Sequence, residues 1–383
     1  MTNYPDQPVA VLCSGGDSPG MNAFLRAISR LGLNRHQTPV LGIRDGYQGL
    51  VRAAKLAGGS AVEIEKLKAR IAAYPGGKGL IELDQDIILL DHACVSGIVG
   101  RGGTLLGSAR CMDFHKPEVR RSVINLLEGL GVRALVVVGG DGSLNGARLL
   151  AAESSLRVIG VPATIDNDLQ FTELALGVDT AVHTLVWAVD HFIDTARSHR
   201  RVMVLETMGR DCGDLARMAA VASGAEMVIT PEGGAVTHER LVEYAAKIEN
   251  SMKRGRRHAI VLVAEGVKFA PDTTPERSRA YVLRDAFENY FRRQGAPFPD
   301  LEARPSVLGH LQRGGHATPQ DCILAARFAE NAWEAILSPE PFNGITALRN
   351  NRVEIVPFGC EDMPDRARFS RKMDELHEDL SSW

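Results

Sequence analysis

Seven short runs of consecutive apolar residues constrain the fold of this chain more than any other feature of its sequence. Continuous apolar runs, unlike alternating ones, are typical of strands buried on both faces, as in a parallel sheet covered by helices. The runs predict strands at VAVLC (9–13), VLGIR (40–44), LVVV (135–138), RVIGV (157–161), VMVLE (202–206), MVIT (227–230) and AIVLVAE (259–265).

Amphipathic segments lie between these runs and predict helices. In residues 181–199 the apolar side chains recur at helical spacing and form one stripe. Thr318 is suited to cap a helix that begins at Pro319 and carries Asp321 in its first turn. Alternating strands and helices predict an α/β, doubly wound architecture. Such folds bind ligands at the carboxyl ends of their strands, so the loops there are the candidate sites.

Composition excludes several classes of protein. A chain of 383 residues is long enough for two domains, and its net charge of −3 argues against a broad nucleic-acid-binding surface. The six cysteines form no C-x-x-C pair, which favours a reducing compartment over a disulfide framework. The N-terminus lacks a signal-peptide pattern, and no apolar run approaches the ~20 residues of a membrane helix. We therefore expect a cytoplasmic protein without membrane or nucleic-acid partners.

Three glycine-bearing loops follow strands: CSGGDSPGMNA (13–23), RGGTLLGSAR (101–110) and GGDGSLNGARLL (139–150). Glycines allow backbone N–H groups to approach a phosphate closely, and a following helix N-terminus favours an anion. None matches the P-loop pattern. In the third loop, Asp141 would repel a phosphate unless a divalent cation reversed the sign. We therefore expect a buried Asp141 that binds Mg²⁺; the alternative is that Asp141 only caps the next helix.

Acidic and basic residues after other strands are candidates for chemistry. In GVPATIDNDL (160–169), Asp166 could act as a general base with Asp168 beside it, although turns are rich in aspartate for local reasons. Arginine side chains match phosphate oxygens geometrically, but single surface arginines are usually only solvated. The candidates are Arg201, Arg210, Arg304 and Arg313, with His310 between the last two.

Six motifs together resemble 6-phosphofructokinases of the bacterial, non-ribokinase type: SGGDSPGMNA, RGGTLLGSAR, VVVGGDGS, PATIDND, MGRDCGD and VLGHLQRGG. The resemblance covers roughly residues 8 to 350. It implies two Rossmann-like domains with mainly parallel sheets. A nucleotide-binding domain would comprise residues 1–177 plus about 312–345, and a sugar-phosphate-binding domain 178–311 plus about 346–383. It also implies transfer of the γ-phosphate of ATP to the 1-hydroxyl of fructose 6-phosphate in glycolysis, with allosteric control.

The resemblance implies a role for each matching residue. Asp166 would be the base and Arg210 would stabilise the transferring phosphoryl group, with Thr164 and Gly15 also catalytic, and Asp141 would bind Mg²⁺. The nucleotide would contact Gly15, Arg110, Cys111, Asp141, Gly142, Ser143 and Gly146. The sugar phosphate would contact Thr164, Asp166, Asp168, Arg201, Met208, Gly209, Arg210, Glu265, Arg304, His310 and Arg313. Because the family supplies the counterparts of Arg201 and Arg304 from a neighbouring subunit, a homodimer or homotetramer is expected.

Several alternatives stay open. Pyrophosphate-using members tend to carry Asp where this chain has Gly142 and Lys where it has Ala163, so Gly142 favours ATP while Ala163 matches neither pattern. An NAD-binding oxidoreductase, a catalytically inactive regulatory subunit and a seven-carbon sugar phosphate are further alternatives. Segment 53–98 is longer than in typical bacterial members and has no assigned role. The family's effector site is only partly matched, by Arg26, Arg30, Arg254, Arg256 and His258, which predicts a weakened or altered response to ADP and phosphoenolpyruvate.

Overall fold

The computed structural model describes residues 7–58, 61–72, 81–82, 84–270, 277–340, 342–359 and 366–381. The chain divides into two compact units. The first unit comprises residues 1–164, 169–179 and 313–363, and the second unit comprises 165–168, 180–312 and 364–383. Among the helices in these described ranges, none has both the length and the apolar character needed to cross a membrane.

The strands within the described ranges are β1 (Val9–Ser14), β2 (Val40–Ile43), β3 (Ile81–Glu82), β4 (Ile87–Leu89), β5 (Ala134–Gly139), β6 (Arg157–Pro162), β7 (Val202–Thr207), β8 (Met227–Ile229), β9 (Val236–Thr237), β10 (Ala259–Ala264), β11 (Phe269–Ala270), β12 (Ala303–Val307), β13 (Gly344–Arg349) and β14 (Arg352–Pro357). All seven strands predicted from apolar runs are present, with ends shifted by at most one residue.

The helices within the same ranges are α1 (Met21–Leu31), α2 (Gly46–Ala57), α3 (Ala61–Ala72), α4 (Pro117–Gly129), α5 (Asp141–Glu153), α6 (Val178–His199), α7 (Asp214–Ser223), α8 (His238–Lys253), α9 (Arg279–Phe291), α10 (Pro319–Leu337) and α11 (Arg366–Ser381). Short helical turns occur at Gly32–His36, Met112–His115, Pro231–Gly233 and Gly309–Arg313.

The first unit is built on an eight-stranded sheet in the order β14-β13-β6-β5-β1-β2-β4-β3. Its centre is parallel, whereas the pairs β13–β14, β2–β4 and β3–β4 at its two margins are antiparallel. The strand order reverses direction between β1 and β5. That reversal opens a crevice at the carboxyl ends of these two strands, where doubly wound folds bind ligands.

Alternate residues of each central strand in the first unit enter two different cores. Val9, Val11 and Cys13 of β1 pack with helices α1 and α10, where Trp333 donates its indole N–H to the carbonyl of Ile28 (2.9 Å). The intervening Ala10 and Leu12 belong to a second cluster with α2, α4 and α5. Because both faces of the sheet are covered, every position in the strand is apolar, which explains the continuous runs in the sequence.

The second unit contains a four-stranded parallel sheet in the order β12-β7-β10-β8, and a separate parallel pair, β9 and β11. Val202, Val204, Val261 and Val263 form its core together with apolar residues of α8 and α9. Helix α11 packs on α7. The mainly parallel first sheet and the parallel second sheet, both packed against helices, confirm the α/β, doubly wound prediction.

Other sequence-based expectations can be compared with these elements. The apolar stripe in 181–199 lies on α6, and the hydroxyl of Thr318 caps α10 by accepting the N–H of Asp321 (3.2 Å). Differences from the predicted division occur at two places. Residues 165–168 belong to the second unit, and β13 and β14 belong to the first because β13 pairs with β6. Which unit binds nucleotide and which binds sugar stays a prediction.

Candidate active site

In the first unit, the loops that follow β1, β5 and β6 start side by side, because Ser14 pairs with Gly139 and Gly139 with Pro162. The hydroxyl of Ser143 donates to the carbonyl of Ser14 (2.8 Å), and the hydroxyl of Ser108 donates to the carbonyl of Gly15 (2.7 Å). Gly15 has a φ of 88°, a conformation that glycine adopts without strain. The predicted glycine loops are thus tied together around the amino end of α5.

Asp141 is the first residue of α5, and its side chain is exposed. The helix cap is Gly140, and no side chain makes a capping hydrogen bond there, so the alternative that Asp141 caps the helix is wrong. The expectation of a buried aspartate is also wrong, because the start of α5 buries Ser143 and Leu144 and leaves Asp141 on the exposed side of the helix. Among the described residues, no hydrogen-bond or ion-pair partner is found for Asp141, which leaves its oxygens available to a hard cation such as Mg²⁺.

The other predicted nucleotide contacts surround this helix start. A Cβ built on Gly142 would meet nothing within 4 Å, so the space beside it is open. A Cβ on Gly146 would lie 2.8 Å from the ring of Tyr47, whose hydroxyl donates to the carbonyl of Ser143 (2.8 Å). Packing against Tyr47 therefore requires a glycine at position 146, and its contact with the nucleotide stays a prediction. Arg110, the last residue of the glycine-bearing loop 101–110, is exposed, and Cys111, which follows it, is half-buried.

The long segment 53–98 contributes a support for that loop. Asp86, which is 2% exposed, forms an ion pair with Arg52 (2.5 Å), and the same guanidinium binds Asp45 (2.6 Å). The N–H of Asp45 donates to the carbonyl of Leu106 (2.8 Å), directly before the sequence GSAR at 107–110. The hydrogen bonds that Arg52 donates to Asp86 and then to Asp45 raise the pKa of Arg52 above its ordinary value, so the guanidinium stays charged.

Replacing Asp86 with Asn should lower the free energy of unfolding by about 1–2 kcal/mol, because it leaves the half-exposed Arg52 with one carboxylate partner. Urea denaturation of Asp86→Asn measures this loss. Asp84→Asn is the control, since the side chain of Asp84 accepts only the adjacent N–H of Gln85 (2.6 Å) in the described contacts. Equal stability of the two variants would contradict the assignment of Asp86 as the supporting residue.

The second unit contains a buried acid paired with an arginine. Asp166 is 2% exposed, and its Oδ2 lies 3.1 Å from the Nε of Arg210. Arg210 adopts a left-handed backbone with φ of 50°, and its N–H donates to the Oε1 of Glu265 (2.9 Å). Glu265, predicted to contact the sugar phosphate, therefore also holds the backbone of Arg210. The pair faces solvent on the arginine side, because the Arg210 side chain is 56% exposed.

Further predicted sugar-phosphate residues lie at the carboxyl ends of the strands of this second sheet. Met208 and Gly209 follow β7, and the N–H of Met208 donates to the Oε1 of Gln312 (3.2 Å). Gln312 is fully buried and also donates to the carbonyl of Gly309 (3.0 Å), which fixes the turn that carries the exposed His310. Asp168 is half-buried in the turn that contains Asp166.

Arg201 and Arg304 are not gathered with these residues. Arg201 precedes β7 and Arg304 lies near the start of β12, whereas Arg210 follows the end of β7. A strand of six residues is roughly 20 Å long, so the two arginines lie at the amino ends of the strands, opposite to Arg210 at the carboxyl end of β7. Both bind Glu302, at 3.0 Å and 2.8 Å, and the hydrogen bonds from Arg304 and Arg201 lower the pKa of that carboxyl.

Thr164 and Arg313 belong to the first unit. Thr164 is buried, and a Cβ on Gly140 would lie 3.5 Å from its Cβ, so it borders the start of α5. Arg313 donates to the carbonyl of Asp17 (3.1 Å), beside the loop after β1.

The residues predicted for an effector site are divided between α1 and the second unit. Arg26 and Arg30 lie on α1, while Arg254, Arg256 and His258 lie in the connection from α8 to β10. Arg256 is ion-paired with Glu226. Burial, followed by the charges of Arg197 and Arg256, lowers the pKa of His258. The weakened effector response stays a prediction.

Some supporting residues were missed by sequence reasoning. Ser108, Tyr47, Arg52 and Gln312 fix loops that were themselves identified, but each acts through a partner distant in sequence. Ser108 and Gln312 lie inside the recognised motifs RGGTLLGSAR and VLGHLQRGG and offered a signal, whereas nothing local marked Tyr47 and Arg52.

Comparison with known proteins decides the family. The family model described as Phosphofructokinase matches residues 8–336. The chain belongs to the phosphofructokinase family. An ATP-dependent 6-phosphofructokinase of Staphylococcus epidermidis is 37% identical over 374 residues, which cover 97% of this chain and 99% of that protein. The enzyme of the same description from Staphylococcus aureus is 38% identical over 351 residues, covering 91% of this chain and 92% of the relative.

Solved structures of the family are also similar. Phosphofructokinase from Saccharomyces cerevisiae shares 30% identity with a TM-score of 0.75, over 98% of this chain but 48% of that longer chain. The Pichia pastoris phosphofructokinase in the T-state shares 28% identity with a TM-score of 0.76, and this chain spans 37% of it. A pyrophosphate-dependent phosphofructokinase from Nitrosospira multiformis shares 18% identity with a TM-score of 0.69, a similarity of fold alone.

Proposed function

We propose that this protein transfers the γ-phosphate of ATP to the 1-hydroxyl of fructose 6-phosphate, forming fructose 1,6-bisphosphate and ADP. The observation that carries the proposal is the buried carboxylate of Asp166 with Arg210 at 3.1 Å. Asp166 would accept the proton of the 1-hydroxyl while the hydroxyl oxygen attacks the γ-phosphorus of ATP. The bond between the γ-phosphorus and the oxygen that bridges to the β-phosphate would break, and ADP would leave. Arg210 would stabilise charge on the transferring group, a contribution of ~10³–10⁵ in rate for comparable arginines.

The choice of ATP over pyrophosphate is supported by open space beside Gly142, where nothing lies within 4 Å of a built Cβ. A nucleotide needs room at the position that an aspartate side chain would fill. The Staphylococcus relatives are described as ATP-dependent, which agrees with this choice. Ala163 is buried beside Gly139, to whose carbonyl its N–H donates (3.0 Å), and it supplies no charge for pyrophosphate.

Mg²⁺ fits the first unit because Asp141 presents exposed carboxylate oxygens at the amino end of α5. Bound Mg²⁺ would neutralise charge on the β- and γ-phosphates. The backbone N–H groups of the loop containing Gly142 would bind phosphate oxygens, and Ser143 would hold that loop against Ser14.

An assay of two donors, ATP and pyrophosphate, against fructose 6-phosphate and a seven-carbon ketose phosphate tests the proposal. We expect the highest kcat/KM with ATP and fructose 6-phosphate, and loss of activity when divalent cations are chelated. Higher kcat/KM with pyrophosphate would overturn the choice of ATP as the donor. Full activity in the presence of chelator would overturn the role of Mg²⁺. Reduction of NAD by a hydroxy acid would instead support the oxidoreductase alternative.

We infer that Arg201 and Arg304 act in the site of a neighbouring copy, in a homodimer or homotetramer. Their place at the opposite ends of the strands from Arg210 supports this inference, since the two ends of one sheet cannot both contact the same substrate. Arg201 and Arg304 lie close enough to share one partner, Glu302, and guanidinium groups match phosphate oxygens geometrically.

Mixing two inactive variants should restore activity if subunits share a site. We expect Arg304→Ala and Asp166→Asn each to be nearly inactive alone. After co-refolding, pairs that combine one of each would hold one intact site, roughly a quarter of all sites for random dimers. Measured recovery of activity would support sharing; absence of recovery in a mixture shown to be oligomeric would contradict it.

A further inference from the structure

An ion-pair network in the second unit connects the C-terminal helix to the turn that carries Asp166. Its centre is Arg217 on α7, which is 1% exposed. The guanidinium lies 3.5 Å from Asp214, 3.0 Å from Glu232 and 2.7 Å from Asp374, and it donates to the hydroxyl of Thr230 (2.9 Å). A buried guanidinium is stable only when it is paired in this way.

Two carboxylates of this network, Asp214 and Glu232, are ion-paired with Arg217. The ligand atoms of Cys212, Asp214 and Glu232 do converge. However, Arg217 already supplies the positive charge that the two carboxylates need. Burial by itself would raise the pKa of Glu232, but the hydrogen bonds from Arg217 and from the N–H of Gly213 outweigh it and lower that pKa. The group is therefore ionised at neutral pH as part of an ion-pair network.

Asp214 connects the network to the turn at residues 165–168. Its Oδ2 accepts a hydrogen bond from the side-chain amide of Asn167 (3.3 Å), and the thiol of Cys212 donates to the carbonyl of Asn167 (3.7 Å). Asn167 is 1% exposed and adopts a left-handed φ of 50° between Asp166 and Asp168. The conformation of Asn167 sets the direction in which the neighbouring Asp166 points, so contacts that hold Asn167 also orient the acid.

Helix α11 provides contacts to both ends of this connection. The hydroxyl of Ser370 donates to the Oδ1 of Asp214 (3.1 Å), while Asp374, one turn later, accepts from the Nε of Arg217 (2.7 Å). The Nε2 of the buried His377 lies 2.8 Å from the carbonyl of Ala225, which fixes the helix against the end of α7. One oxygen of Asp214 therefore faces the C-terminal helix and the other faces the catalytic turn.

We propose that α11 is a positioning element for catalysis: Ser370 and Asp374 hold Asp214 and Arg217, and through them Asn167 and the general base Asp166. The proposal rests on the proposed function, in which Asp166 accepts the proton of the sugar hydroxyl. Displacement of a reacting group by about 1 Å costs as much as ~10²-fold in rate, so loss of these contacts is expected to lower turnover more than substrate binding.

The test compares Ser370→Ala/Asp374→Ala with Glu375→Ala, which removes an exposed carboxylate from the same helix. We expect kcat to fall roughly tenfold or more in the double variant, with KM for ATP within about twofold, and no change in the control. Ser370→Thr, which keeps the hydroxyl, should retain the wild-type rate. If the double variant does not fold, Ser370→Ala alone replaces it in the comparison. A folded double variant with wild-type kcat would overturn the proposal.

A second arm shows whether the effect passes through Asp166. In an Asp166→Asn background, the double substitution should lower the residual rate by less than about twofold, because the group that it positions is absent. An undiminished additional loss would overturn the proposal.

Hydrogen exchange of the amides of residues 165–169 in the free protein provides a readout that needs no activity. We expect faster exchange in the double variant than in Glu375→Ala. If the wild-type protein does not phosphorylate fructose 6-phosphate, the proposed function fails, while unchanged exchange at 165–169 would separately refute the positioning role.

Discussion

Asp166→Asn is expected to lower turnover roughly 10²–10⁴-fold, the range that a positioned general base contributes. The amide has nearly the same shape as the carboxylate but cannot accept the proton of the sugar hydroxyl. Burial of Asp166 at 2% exposure makes replacement by water difficult, so little rescue is expected from solvent. The loss should appear in kcat, measured by the release of ADP, with substrate dissociation constants from calorimetry changed by less than about tenfold.

Asp211→Asn is the matched control for this prediction. Asp211 lies next to Arg210 in the same loop, but its side chain is exposed. Its replacement removes one negative charge close to the site without removing the base, so turnover should remain within about twofold of wild type. Equal losses of turnover in the two variants would assign the effect to local charge. Unchanged turnover in Asp166→Asn would show that Asp166 is not the general base.

Gly142→Asp is expected to lower kcat/KM for ATP by roughly 10- to 100-fold. The new carboxylate would stand beside Asp141 at the start of α5, where the phosphates of ATP are proposed to bind. Two like charges about 4 Å apart repel by about 1 kcal/mol in water and about 4 kcal/mol near a protein surface. Steady-state kinetics with ATP and with pyrophosphate measure the effect, and the smaller donor should be affected less.

Gly142→Ala separates charge from volume at the same position. A Cβ at Gly142 meets nothing within 4 Å, and the backbone there is not left-handed, so alanine should fold normally and retain activity. If alanine lowers kcat/KM as strongly as aspartate, the effect is steric. If neither substitution changes the kinetics, the nucleotide phosphates do not bind beside Gly142.

The sequence alone was informative wherever one residue's environment is set by its neighbours along the chain. The central strands of both sheets could be predicted because strands covered on both faces are apolar at every position. The margins of the first sheet could not be predicted: β3 and β4, at one edge, are short and antiparallel, and β14 at the other edge exposes alternate residues. Their pairing depends on partners far away in sequence.

The same distinction applies to the candidate site. Six motifs in their order identified the family, because each is a short continuous stretch whose chemistry is local. Five of them adjoin the carboxyl end of a strand, whereas RGGTLLGSAR begins 12 residues after the end of β4. Three features became visible only in the folded units. Asp141 is exposed, and Glu265 binds the backbone of Arg210. Arg201 and Arg304 lie at the opposite ends of the strands from Arg210.

The sequence by itself determined the fold class, the family and the residues that could carry phosphoryl transfer. Only the tertiary structure decided which side chains hold those residues in place, such as Asp86 for the loop before Gly107, and Arg217 with Asp374 for the turn of Asp166. The physical reason is that backbone hydrogen bonding and burial leave a periodic pattern in the sequence. An ion pair between residues 157 positions apart leaves no such pattern.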